Sequence, residues 1–369
     1  MTIISINPLA ILSFAILICI PDSYPFVQNN GKRLIKVNEI EPAKWLNQDE
    51  INLLLAKHTN FMDITNHEFP TYEFYFAKHE FPESLRLHSA INSTFKNINI
   101  SRMTAFVDTF DNYTNRYYNS QSGVDASIWL ASQVAGTINN SSYNASRVTV
   151  DKFRHSWAQN SVIAKILGAD PVLKEEVVIF GAHLDSINSR SPARGVAPGS
   201  DDNASGCVTL LESLRIILQS NFVPKRSIEF HFYAGEEVGL RGSLDIAESY
   251  YKKGVKVVAM VNYDIVGYNA GENDIGFVTD YTSKKLTDFL KMVVKEYCTY
   301  AVVDHVCGYG CSDHASFNKY KFPAACASEN PITPYMHGKN DTSDKMSFEQ
   351  VGEFVKMTIA AGIELAELV

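Results

Sequence analysis

Glu176-Val-Val-Ile-Phe-Gly-Ala-His-Leu-Asp-Ser186 is the stretch whose reading decides the fold. After Glu176, Val177–Phe180 form an apolar, mostly β-branched run, too short for a helix and suited to a strand buried on both faces. The run leads into His183 and Asp185, two residues apart, so an extended backbone points both side chains into one cleft. Similar strands are expected at Ser227–Tyr233 and Lys256–Tyr263, and residues 202–219 between them and the first read as a helix. Residues 123–134 and 347–368 also carry helical patterns, the latter with Phe348, Val351, Phe354, Val355, Ile359 and Ile363 on one face. Such alternation predicts an α/β fold, a mostly parallel mixed sheet with helices on both faces.

Acidic and histidine-bearing segments follow the strands, where open α/β sheets build their sites. Pro198-Gly-Ser-Asp-Asp-Asn-Ala-Ser-Gly206 offers two consecutive acids in a turn of small side chains. Acids at a helix start are often simple caps, but this doublet suits a carboxylate pushed between two ions; Asp201 is assigned as the bridge and Asp202 as its support. Tyr233-Ala-Gly-Glu-Glu-Val-Gly239 places Glu236 and Glu237 on a turn flanked by apolar residues. Adjacent acids there can divide two tasks, Glu237 holding a metal and Glu236 acting as general base and acid. Asp264 ends the Lys256–Tyr263 run as a further ligand. His183 is read as a ligand and Asp185 as the carboxylate that orients it. His337 and His314 compete for the last ligand position, and spacing alone does not separate them. Mixed nitrogen and oxygen donors fit zinc.

These motifs resemble the co-catalytic dizinc aminopeptidases, the family of bacterial leucyl aminopeptidases and secreted fungal leucine aminopeptidases. The resemblance runs from about residue 71 to the C-terminus, and residues 198–206 with 233–243 are specific to it in combination. It implies two zinc ions per chain held by His183, Asp201, Glu237, Asp264 and His337, which decides the histidine rivalry for His337. It also implies Glu236 as catalytic base, Asp185 as the orienting acid, and a pocket lined by Ile265, Tyr309, Cys326 and Met336. The implied reaction is removal of an N-terminal, leucine-like residue from peptides with a free N-terminus, by attack of a metal-activated water. Cys326 and Ser328 depart from the bulkier apolar groups of relatives, which puts the leucine preference in question. The competing readings are a one-zinc glutaminyl cyclase, a dipeptidase or carboxypeptidase of the same superfamily, and a metal-free binding module.

The rest of the chain sets the context. With 33 Lys and Arg against 41 Asp and Glu, the net charge of −8 and the lack of a basic stripe disfavour nucleic acid. Residues 1–21 read as a signal peptide with an apolar core from Leu9 to Ile20, and no second apolar run of spanning length follows. The expected product is a secreted monomer without stable membrane insertion. Six acceptor tripeptides lie between Asn92 and Ser146, at Asn92, Asn99, Asn112, Asn139, Asn140 and Asn144, and agree with export and N-glycosylation; Asn203 and Asn340 also match but abut proposed metal ligands and are expected to stay bare. Cys307-Gly-Tyr-Gly-Cys311 can close as a disulfide because its glycines allow a short loop. Residues 22–78 carry none of the metal candidates; composition is evenly balanced between an N-terminal extension and a propeptide. Asn47, with Glu50 three residues on, predicts a capped helix in this segment. The resemblance, at Phe61-Met-Asp-Ile-Thr65, implies an inhibitory propeptide, leaving 79–369 as the catalytic domain.

Overall fold

The computed structural model describes residues 31–70, 80–268, 270–271 and 273–367. The chain enters through strands β1 (Arg33–Lys36), β2 (Lys44–Leu46) and β3 (Met62–Asp63), which pair antiparallel in the order β2-β1-β3, with helix α1 (Gln48–Ala56) between the last two. Asn47 caps α1 as expected: its side chain accepts from Glu50 N–H at 2.9 Å, and Glu50 accepts from Asn47 N–H at 2.7 Å. Three helices follow, α2 (His88–Phe95), α3 (Ile100–Phe110) and α4 (Gln121–Asn139).

The main sheet is built from β4 (Val148–Phe153), β5 (Ser161–Ile166), β6 (Glu176–His183), β7 (Ser227–Tyr233), β8 (Lys256–Tyr263), β9 (Asp274–Val278), β10 (Val302–His305) and β11 (Ala324–Asn330). Its order is β10-β9-β11-β8-β6-β7-β5-β4. The centre is parallel, β11 with β8, β8 with β6 and β6 with β7, whereas β5 joins β7 and β4 joins β5 antiparallel. Helices α5 (Gly206–Gln219), α6 (Arg241–Lys253), α7 (Lys284–Tyr297), α8 (His314–Lys319) and α9 (Phe348–Glu367) complete the fold.

Strand β6 shows why the sheet is sandwiched. Val178, Phe180 and Ala182 enter the core formed with α3, α4, α5, α7 and α9, while Val177 and Ile179 enter the opposite core formed with α6 and α8. Period-two side chains thus face two helical layers, and each fully buried Val, Ile or Phe contributes about 1.5–3 kcal/mol. The expected bounds of β7 and β8 hold, and β6 runs three residues past Phe180 to His183. One expectation fails: the helix predicted from 202 begins at Gly206. Asp202 (φ −107°, ψ 87°) and Asn203 (φ −137°, ψ 49°) are not helical, because the buried 200–205 turn spends its backbone on presenting side chains.

Residues Lys32–Val369 form one compact unit, so the segment before residue 71 packs with the remainder. The signal-peptide expectation over residues 1–21 and the boundary at 78/79 lie outside the described residues. No helix among the described residues is long and apolar enough to cross a membrane.

Candidate metal centre

The carboxyl ends of β6, β7 and β8, three adjacent strands, bring the site together. His183 is the last residue of β6, Asp264 follows β8, and Glu236 and Glu237 follow β7. Asp202 comes from the turn before α5, and His337 from the loop before α9. His183 Nε2 lies 3.1 Å from Asp202 Oδ1 and 3.3 Å from Asp264 Oδ1. His337 Nε2 lies 3.1 Å from Asp202 Oδ2 and 2.9 Å from Glu237 Oε2. Two triads therefore form, His183–Asp202–Asp264 and Asp202–Glu237–His337, each with its donor atoms within 4.8 Å of one another.

Asp202 is common to both triads, which corrects the assignment of the bridge to Asp201. The Asp201 carboxylate points away from both histidines: its Oδ1 accepts from Gly267 N–H at 2.8 Å, and the group lies beside Glu329. The kinked backbone at 202 turns consecutive side chains in different directions, so the second acid of the pair, not the first, reaches the cleft.

The loops are held by groups the sequence reading did not select. Asp341 accepts from the backbone N–H of Asp201 at 2.9 Å and of Asp202 at 3.0 Å, tying the His337 loop to the 200–205 turn. Arg116, fully buried, donates to Leu184 O and Gly199 O at 2.8 Å each and also to Pro198 O. Asp341 stands four residues after His337, close enough in sequence to be suspected; Arg116 carries no local signal, because its role depends on carbonyls some 70–80 positions away. Ser312 donates to Asp264 Oδ2 at 2.5 Å. Asp185 accepts from the N–H groups of Glu236 (3.0 Å) and Glu237 (3.3 Å), and its Oδ1 is 3.6 Å from His183 Nδ1, whose nearer contact is Asp185 O at 3.1 Å. Asp185 thus steadies the Glu-Glu turn as well as the imidazole.

Electrostatics reveal what the donor set requires. Burial pushes Asp202 up, but contacts with His183 and His337 outweigh it and hold the carboxylate well below its usual range. Burial acts to lower both imidazoles, yet the surrounding acids raise His183 and His337 well above their ordinary value. Glu237 is pushed up to about 7, by burial and then by Asp202, against the pull of His337. Glu236 is raised well above the usual carboxylate range, chiefly by burial. Three acids and two imidazoles converging in a buried cleft need positive charge among them, and a buried Glu237 Oε1 has no hydrogen-bond partner. Divalent cations bound by nitrogen and oxygen donors, with Asp202 shared, fit that need, and zinc suits the donors.

These residues open on a cavity of about 360 Å³. Ile265, Cys326 and Met336 line it as expected, joined by Val278, His305, Val306, Ser328 and Ile332. Tyr309 does not line it; the ring is packed against Tyr281, 5.6 Å between centroids, and under Lys319. Cys307 and Cys311 form the expected disulfide, with Cα atoms 6.0 Å apart. His314 is buried beside that bridge and is in neither triad. The backbone is left-handed at Ile265 (φ 50°) and His337 (φ 58°), a cost tolerated where side chains must be aimed.

The N-terminal segment closes the remaining side. Leu55, His58, Thr59, Asn60 and Phe61 line the same cavity. The His58 ring stacks on His337 with centroids 5.7 Å apart and planes 8° from parallel. Gly239 (φ 107°) admits this approach: Asp63 N–H donates to Gly239 O at 2.9 Å, and a Cβ there would sit 2.8 Å from Asp63 N.

Residues 161–361 match the family model of peptidase family M28. The chain is 38% identical over 345 residues to a protein of Trichophyton verrucosum described as a probable leucine aminopeptidase 1, covering 89% of this chain and 91% of the relative. It is also 38% identical over 345 residues to leucine aminopeptidase 1 of Trichophyton equinum, with the same coverage. The crystal structure of the LapA aminopeptidase of Legionella pneumophila superposes with a TM-score of 0.80 at 26% identity, over 92% of this chain and 94% of that one.

Proposed function

The chain belongs to peptidase family M28 and is a metallo-aminopeptidase; we propose that it binds two zinc ions and removes N-terminal residues from peptides. The single observation that carries the zinc count is Asp202, whose two oxygens each face one histidine of two donor triads. His183, Asp202 and Asp264 would hold one ion, and Asp202, Glu237 and His337 the other. Zinc held by these residues would supply Lewis acidity toward a peptide carbonyl and would make water nucleophilic near neutral pH.

The chain's own residues do the rest. Glu236 lines the cavity and is raised by burial, so its carboxylate is basic enough to take a proton from the attacking water and pass it to the departing amine. Asp185 keeps Glu236 and Glu237 in place through their backbone N–H groups. A free α-amino group offers the metal positions a nitrogen donor that an acylated one lacks, which favours a free substrate N-terminus over a blocked one. Ile265, Val278, Ile332 and Met336 give the cavity apolar walls that suit a leucine-like side chain. The pair of triads speaks against a one-zinc cyclase.

The context readings belong to the same proposal. Residues 22–78 act as a propeptide, supported by the five residues between Leu55 and Phe61 that line the cavity. Residues 1–21 direct secretion, and the exposed positions of Asn92, Asn99, Asn112, Asn139, Asn140 and Asn144 suit glycans. The test is hydrolysis of leucine p-nitroanilide against acetyl-leucine p-nitroanilide, with and without chelator. Turnover of the free-amino substrate alone, abolished by chelation and restored by zinc, is expected; equal turnover of the blocked substrate would move the reaction to another peptidase class.

A further inference from the structure

The far wall of the cavity is not apolar. Cys326 and Ser328 lie two apart on β11 and both line the space, as same-face residues of a strand do. His305, the last residue of β10, lines it too, and its Nε2 is 3.4 Å from Ser328 Oγ. These two strands are not neighbours, since β9 runs between them. The imidazole crosses that gap because β9 carries Gly276 opposite Ser328, and a Cβ at Gly276 would meet His305 Nδ1 at 3.0 Å. His305 Nδ1 is buried and has no partner among the described residues.

An imidazole and a hydroxyl side by side are a donor and acceptor pair. Burial keeps His305 below its ordinary value, so near neutral pH the ring is uncharged, with one nitrogen to donate and one to accept. A side chain ending in a neutral amide matches that arrangement, its carbonyl accepting and its NH2 donating. A purely apolar tip leaves unused the hydrogen-bonding capacity that the Ser328 hydroxyl keeps beyond its contact with His305, which costs binding in the transition state. Neither a carboxylate nor an ammonium tip finds a charged partner in this wall. From this geometry we infer that His305 and Ser328 are specificity-determining residues, which select N-terminal residues with an amide-tipped side chain, glutamine above its equal-length apolar counterpart methionine. The inference rests on the aminopeptidase reading of the cavity and assigns the chemistry of its far end.

The test compares kcat/KM for glutamine and methionine p-nitroanilides, using the zinc-loaded full chain before and after limited proteolytic removal of the N-terminal segment. Wild type should favour glutamine. Ser328→Ala and His305→Leu should each lower the glutamine-to-methionine ratio about tenfold, the worth of one hydrogen bond, while methionine turnover holds or rises. Ser328→Thr keeps the hydroxyl and should keep the ratio. Unchanged zinc content and thermal midpoint show that a variant is folded and metal-loaded. A ratio that stays within twofold across these variants, or a wild type that prefers methionine, overturns the assignment. Absence of turnover on any free-amino substrate would instead remove the aminopeptidase reading beneath it.

Discussion

Asp202 gives one oxygen to each histidine, so its replacement should cost more than that of any ligand serving one triad. Asp202→Asn is expected to lose both zinc ions and turnover, whereas Asp201→Asn, whose carboxylate meets Gly267 N–H, should retain most of its zinc. Elemental analysis of the dialysed proteins checks this; equal zinc loss from the two variants would contradict it. Glu236 belongs to neither triad, and Glu236→Gln should leave zinc content intact while lowering kcat by about 10²- to 10⁴-fold. At this scale the sequence was legible in residue type but not in direction. Adjacent acids in a turn are indistinguishable until φ and ψ are known, and the doublet at 201–202 sits where the backbone leaves helical values. Tyr309 escaped for a similar reason: a loop position near the disulfide does not say which way a ring turns.

Strand β7 and helix α6 are joined beneath the site by a polar cluster that makes its own prediction. Glu229 accepts from Tyr250 OH at 2.6 Å, lies 2.8 Å from His231 Nε2, and pairs with Lys165 Nζ at 3.0 Å. Burial pushes its carboxyl up, but His231, Lys165 and Tyr250 outweigh burial and bring it down from 4.5 to about 2. A folded-state value below the unfolded one stabilises the protein above pH 4.5, and that contribution fades as pH falls toward 2. The shift corresponds to about 3 kcal/mol. Glu229→Gln should therefore be less stable to urea near pH 6, and the gap to wild type should shrink on acidification; a gap independent of pH would oppose this. Elements such as β6, β7 and β8 could be read from sequence because strands buried on both faces are continuous apolar runs. The short, partly exposed edge strands β4 and β10 lack that signature, and their place in the sheet depends on partners far along the chain.

Across the whole molecule, the N-terminal segment and the catalytic unit share one cavity. Asp63 in β3 is buried and pairs with Arg33 at 3.1 Å and with Arg241 at 3.2 Å, which links the segment to α6. If this segment restrains activity, Asp63→Asn should raise turnover by the full-length chain several-fold, and proteolytic removal of the segment should raise it further; unchanged rates in both would argue against a propeptide. The α/β class and three of the five triad residues, His183, Glu237 and Asp264, were legible because each follows a recognisable strand or motif, whereas His337 was singled out only by the family resemblance. The covering of the cleft by residues 55–61 was not, since it depends on Gly239 and on packing between parts of the chain nearly 200 residues apart. The central claim is a two-zinc aminopeptidase, and it is tested most directly by titrating metal-stripped, segment-free protein with zinc while following leucine and acetyl-leucine p-nitroanilide hydrolysis. The structure predicts turnover of the free-amino substrate alone, rising until two equivalents are bound; turnover that needs no zinc, or that accepts the acetylated substrate equally, would contradict it.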